Sequence, residues 1–143
     1  MTYTPLAFLK DFRRNQSGAV AVEFVLIAPL LFGLLFGIIT VGYFIGVSHS
    51  VSQLATDTAR ASVAGLDMQE RIELAEAYLA NASINYPLLI QEAISPQVST
   101  NDVNPPSMTI NITYGIASSV LGIANSLLGL NISDIKGSAY LAY

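Results

Sequence analysis

The stretch that decides the fold is GAVAVEFVLIAPLLFGLLFGIITVGYFIGV, residues 18–47. From Phe24 to Val47 it runs 24 positions without a charge, and without an Asn or Gln. At ~1.5 Å of rise per residue that run reaches roughly 36 Å, enough to cross a hydrocarbon core of about 30 Å with some tilt. A helix on the surface of a soluble domain keeps a polar face, and this one has none. A removable secretory signal has an apolar stretch of about 7–15 residues with a small-residue cleavage site soon after it. Here the run is longer, and the nearest such site, Ser62-Val63-Ala64, lies well beyond its end. The reading is a retained transmembrane helix.

Working outward toward the N-terminus, Lys10, Arg13 and Arg14 precede the run and are opposed only by Asp11, while the next basic residue after it is Arg60. Basic flanks stay on the cytoplasmic side, so the N-terminus is expected inside and everything after about Ser48 outside. Glu23 is the lone carboxylate at the head of the apolar helix. Unpaired burial there costs several kcal/mol, so it needs either a cation or a wet interface, where it complements the positive end of the helix dipole. Two Gly-x-x-x-Gly spacings follow, Gly33 with Gly37 and Gly42 with Gly46. Such pairs let helices approach closely in lipid, although glycine is common in membrane helices anyway. Pro29 removes a backbone hydrogen bond and is expected to kink the helix near Val25.

The junction resembles a type IV prepilin signal of the tight-adherence (Flp-type) branch: Gly18, four residues, then Glu23 followed by the aromatic Phe24. The chain is longer than Flp-type major pilins. With its Gly-Ala-Val-Ala-Val-Glu-Phe start, the segment Ala55–Ala61 with Gly65, and the alternating strand Met108 to Tyr114, it looks like the TadE-like family of minor pseudopilins. TadF-like and TadG-like siblings share the N-terminal signal. The resemblance implies cleavage between Gly18 and Ala19 by a prepilin peptidase and retention of the helix. It also implies pairing of Glu23, beside Phe24, with the N-terminus of a neighbouring subunit. The implied partners are other pilins and pseudopilins, the inner-membrane pilus assembly platform and the lipid bilayer. The implied setting is a bacterial inner membrane, with the outer domain periplasmic or extracellular, and a role in pilus assembly, surface adherence and biofilm formation.

The fold class expected is α+β and membrane-anchored. It has a basic leader over 1–18, a transmembrane helix over 19–48, an outer continuation of that helix over 49–65, and a small domain over 66–143. Val47, Val51, Leu54, Ala55 and Thr58 recur at helical spacing, with Gln53, Asp57 and Arg60 elsewhere on the surface and Gly65 as a C-terminal cap. Asp67 and Glu70 form a capping-box pair opening a second helix, whose buried stripe is Ile72, Ala75, Leu79 and Ala82. Pro87 to Ile94 is a short helix, and the Pro-bearing segment from Ser95 to Ser107 a loop. Met108 to Tyr114 alternates as a half-buried strand. Ile116, Val120, Ile123, Ala124, Leu127 and Leu128 form the docked face of a further helix or apolar loop, and Leu130 to Tyr143 pairs with the strand.

Composition excludes several classes. The 143 residues include no cysteine, so a disulfide framework and a cysteine metal site are both out. The formal net charge is −4, and loss of residues 1–18 would take away three cations and one anion, leaving −6. An acidic, sparsely charged exterior argues against nucleic acid as a partner. The one histidine, His49, sits beside Ser48 and Ser50 without the orienting acid a triad requires. Glu70, Glu73 and Glu76 are carboxylates on a solvated helix face. No enzyme, no cofactor and no metal is expected. Two other readings stand beside the pseudopilin: an uncleaved single-pass anchor with an adhesive or sensing outer domain, and a membrane-tethered enzyme.

Overall fold

The computed structural model describes residues 16–143. Its first element is a single helix, α1, over Gln16–Ser62. The leader residues 1–15, with Lys10, Asp11, Arg13 and Arg14, lie outside the described residues. By contacts the chain divides into two units, one up to Ile39 and one from Thr40 to Tyr143. The outer unit therefore starts inside the uncharged run, seven residues before Val47.

In the first unit no residue of α1 from Gly18 to Ile39 is buried. An 18-residue apolar window of it has no buried residue, and the helix is long and apolar enough to cross a membrane. Pro29 sits inside the assigned helix without ending it.

In the second unit the same helix becomes amphipathic. Val47, Val51, Leu54 and Ala55 are wholly buried, four positions on one stripe. Each fully buried Leu or Val contributes about 1.5–3 kcal/mol relative to exposure. Thr58 and Ser62 are equally buried on that stripe, and their hydroxyls donate to the carbonyls of Leu54 (2.7 Å) and Ala59 (2.7 Å), so no polar group is left unpaired.

α1 ends in a turn in which Gly65 N–H donates to Ser62 O. The expected left-handed cap at Gly65 is not found: Gly129 is the glycine with positive φ. Gly65 serves close approach instead. A Cβ on it would lie 2.6 Å from Arg71 Cγ and 2.7 Å from Arg71 N, and its carbonyl accepts from Arg71 Nε at 2.9 Å. α2 then spans Met68–Ala80. Its start follows the sequence reading. Asp67 accepts from Glu70 N–H at 2.8 Å, and Glu70 reaches back to Leu66 N–H at 2.7 Å, one residue before the usual capping-box donor. Ala75 and Leu79 are buried on α2, Ile72 packs partly against the core, and Ala82 is buried in the next element.

The short helix expected over Pro87 to Ile94 is reduced to a single 3₁₀ turn inside that range. α3 is a single turn, Ala82–Asn85, and a 3₁₀ turn covers Gln91–Ala93. The larger departure is β1, Ile94–Asn101, where the sequence reads as a loop. β1 pairs antiparallel with β2, Ser107–Tyr114, from Ile94↔Tyr114 to Asn101↔Ser107. The three-stranded order β1-β2-β3 leaves β1 at an edge, where Pro96, opposite Ile112, has no second strand to bond. β2 is central and alternates as expected, with Met108, Ile110, Ile112 and Tyr114 buried. β3, Ile135–Ala142, pairs antiparallel with β2 from Tyr114↔Ile135 to Ser107↔Ala142. The sheet lies close on α1: a Cβ on Gly137 would come 2.8 Å from Val51 O.

Between β2 and β3 stands α4, Val120–Leu128, capped by Ser119 accepting from Leu121 N–H and ended by Gly129 at φ 60°. The stripe expected to dock is divided: Ile116 is buried and Ala124 half-buried, but the rest faces outward. Leu121 is the buried residue of α4, while Val120, Ile123, Leu127 and Leu128 are exposed. The helix is apolar on more than one face, so spacing alone does not choose which face turns inward. The fold is α+β: a long apolar N-terminal helix, small helices and a three-stranded antiparallel sheet.

Candidate membrane and assembly helix

All the residues singled out from the sequence lie on α1. In the first unit Gly18, Ala19, Glu23 and Phe24 are exposed in the opening turns of the helix. The Glu23 side chain makes no hydrogen bond or ion pair with the described residues. Gly18 and Ala19 fall in the opening turn of the described helix. Gly33 and Gly37 share a face, and a side chain added at either would meet no other atom within 4 Å.

In the second unit Gly42 is similarly open, but Gly46 is not. A Cβ there would come 3.1 Å from Leu88 Cδ1. The Gly46 notch is filled from within the chain, and Tyr43 next to it donates its hydroxyl to Leu88 O at 3.4 Å. The pair Gly42 and Gly46 therefore presents one open position outward, while Gly33 and Gly37 present two.

Sequence reasoning missed a polar clasp higher on the helix. Asp57 is half-buried, accepts from Tyr86 Oη at 2.6 Å and lies 3.7 Å from exposed Arg60. Burial, and then the hydrogen bond to Asp57, push the Tyr86 hydroxyl pKa up. No local signal joins two residues 29 apart, and Asp57 alone reads as one more surface charge. The clasp also takes Asp57 away from His49, which is exposed, while Ser50 donates to its own helix at Gly46 O, 3.0 Å. Ser48, His49 and Ser50 thus form no catalytic arrangement. Among the described residues no three His, Asp or Glu side chains gather as metal ligands.

A groove of about 640 Å³ runs between Thr40, Val41, Phe44 and Ser48 of α1 and the segment 130–136. It holds no cluster of titratable groups on the helix side.

The protein is similar to known proteins in one region. Residues 18–60 match the family model TadE, described as TadE-like protein; this is under a third of the chain and falls wholly on α1. No curated protein and no solved structure matches the chain. The family suggests involvement in Tad pilus systems and is structural rather than enzymatic. Over residues 18–60, from the exposed opening turns of α1 to the Asp57–Arg60 pair, the chain is similar to the TadE-like family.

Proposed function

We propose that the protein is a minor pseudopilin of a tight-adherence pilus. A prepilin peptidase cuts between Gly18 and Ala19, the helix stays in the inner membrane, and Glu23 becomes the fifth residue of the mature chain. The observation that carries this reading is that the family match begins at Gly18, the residue before the expected cut. Cleavage would create an ammonium at Ala19, the cation that an unpaired carboxylate in an apolar setting requires. Glu23, exposed and without a partner among the described residues, is free to take the N-terminus of a neighbouring subunit. Gly33 and Gly37 offer that neighbour a close approach. Through assembly of the pilus the protein would support adherence and biofilm formation.

Mass spectrometry of the membrane-extracted protein tests the first step. A mature chain starting at Ala19 is expected; one that keeps residues 1–18 while pili form normally overturns the reading in favour of an uncleaved anchor. In the Glu23→Ala variant cleavage should persist and piliation should fall. Normal pilus number in that variant would remove the assembly role of Glu23.

A further inference from the structure

We propose that the end of the outer unit nearest the uncharged run, formed by α4 with Leu130 and Leu88, lies in the membrane interface, so that the protein holds the bilayer by this surface as well as by α1. The proposal rests on the reading of α1 as a membrane helix and goes beyond it.

The direction of the sheet sets the level of α4. Gly137, early in β3, sits against Val51. Tyr143, just past the end of β3, lies under Arg71, whose guanidinium is 3.6 Å from the ring centroid and whose Nε bonds Gly65 O. β3 therefore runs along α1 away from the uncharged run. The segment before β3 must lie at the opposite end, and it does: residues 130–136 face Thr40, Val41 and Phe44 across the groove. Leu88 is held at the same level by Tyr43 and Gly46.

What this end presents is apolar. Val120, Ile123 and Leu127 are 58, 62 and 79% exposed on one face of α4. No charged residue occurs from Val103 to Ser133. Two polar side chains here are used inside the chain: the capping Ser119 donates to Ile116 O at 2.7 Å, and Asn125 Oδ1 accepts from Ile132 N–H at 3.0 Å, while Ser126 is exposed. Such a face is unfavourable in water and favourable at the boundary of headgroups and acyl chains, where an apolar helix face is buried about 5–10 Å deep. The occupant is lipid because α4 is tied through Asn125, which accepts from Leu130 N–H and Ile132 N–H, to the segment that lines the groove with Thr40, Val41 and Phe44 of the uncharged run, where Val41 and Ile45 are themselves exposed. The nearest charges along the chain, Asp102 before it and Asp134 and Lys136 after it, lie outside α4.

The absence of cysteine lets single spin labels be placed in the full chain, reconstituted in phosphatidylethanolamine–phosphatidylglycerol nanodiscs. Leu127→Cys reports on α4, Leu35→Cys on the membrane helix and Gln97→Cys on the exposed edge strand. Collision with a water-soluble nickel complex should be several-fold lower at positions 127 and 35 than at 97, with oxygen collision higher. Position 127 as open to nickel as position 97, with position 35 protected, overturns the proposal and leaves the anchor intact. Position 35 open to nickel overturns the anchor and the proposal with it. Spin–spin broadening at 127 that disappears on dilution with unlabelled chain would show a second copy covering the face, and overturns it too.

Discussion

The two parts of α1 share one helical backbone and differ in everything their side chains meet. From Phe24 to Ile39 the helix is apolar all round and none of its residues is buried; from Thr40 it carries a stripe that the sheet and α2 help to bury. The difference lies in what must satisfy each part. The first needs lipid or another helix, because its large apolar side chains are exposed among the described residues. The second needs the outer unit, because Val47, Val51 and Leu54 would otherwise face water. A single element thus belongs to two solvents, and mutations should separate them.

The largest expected effect comes from truncating the packed stripe. Leu54→Ala should destabilise the outer unit by about 2–5 kcal/mol, whereas Leu31→Ala, on the exposed part, should leave its melting unchanged. Thermal unfolding in detergent, followed by limited proteolysis of residues 40–143, checks both; equal losses would break the comparison. Next, Leu34→Lys should oppose membrane insertion by about 2.5–3.5 kcal/mol without altering the melting of the outer unit. Carbonate extraction read beside the melting curve distinguishes the two. The smallest effect concerns the clasp. Tyr86→Phe should cost about 1–2 kcal/mol at neutral pH by removing the hydrogen bond to Asp57. Because the folded state raises the pKa of Tyr86, its proton is retained in the fold where the unfolded chain has lost it. The stability it contributes is complete below about pH 10 and declines as pH rises above that. Tyr86→Phe should flatten that alkaline decline, which a pH series of denaturant melts would measure.

The features legible in the sequence are those whose cause is local. The length and composition of Phe24 to Val47 announce a helix for a membrane whatever else the chain does. Asp67 and Glu70 cap α2 because the acceptor and the orphan donors lie within one turn of each other. The alternation in β2 survives because a central strand with one buried face admits a single register. Signals of this kind are also what the family resemblance reads, and the match accordingly stays on α1.

Other features depend on partners that sequence distance hides. Proline and polar residues mark Ser95 to Ser107 as a loop, yet β2 supplies the hydrogen bonds that make most of it an edge strand. Gly65 has the composition of a cap, but the backbone of Arg71 passes too close for any side chain there. Asp57 becomes structural when Tyr86 arrives, and the Gly46 notch closes when Leu88 arrives. By itself the sequence determined a membrane-length helix, an amphipathic continuation and the central strand, since each is written in the spacing of side chains along one segment. The tertiary structure alone decided which face of α4 turns inward, which glycines of α1 remain open, and where Asp57 finds its donor. Those outcomes follow from packing between segments tens of residues apart, where volume and hydrogen-bond demand are met by whatever surface comes into reach.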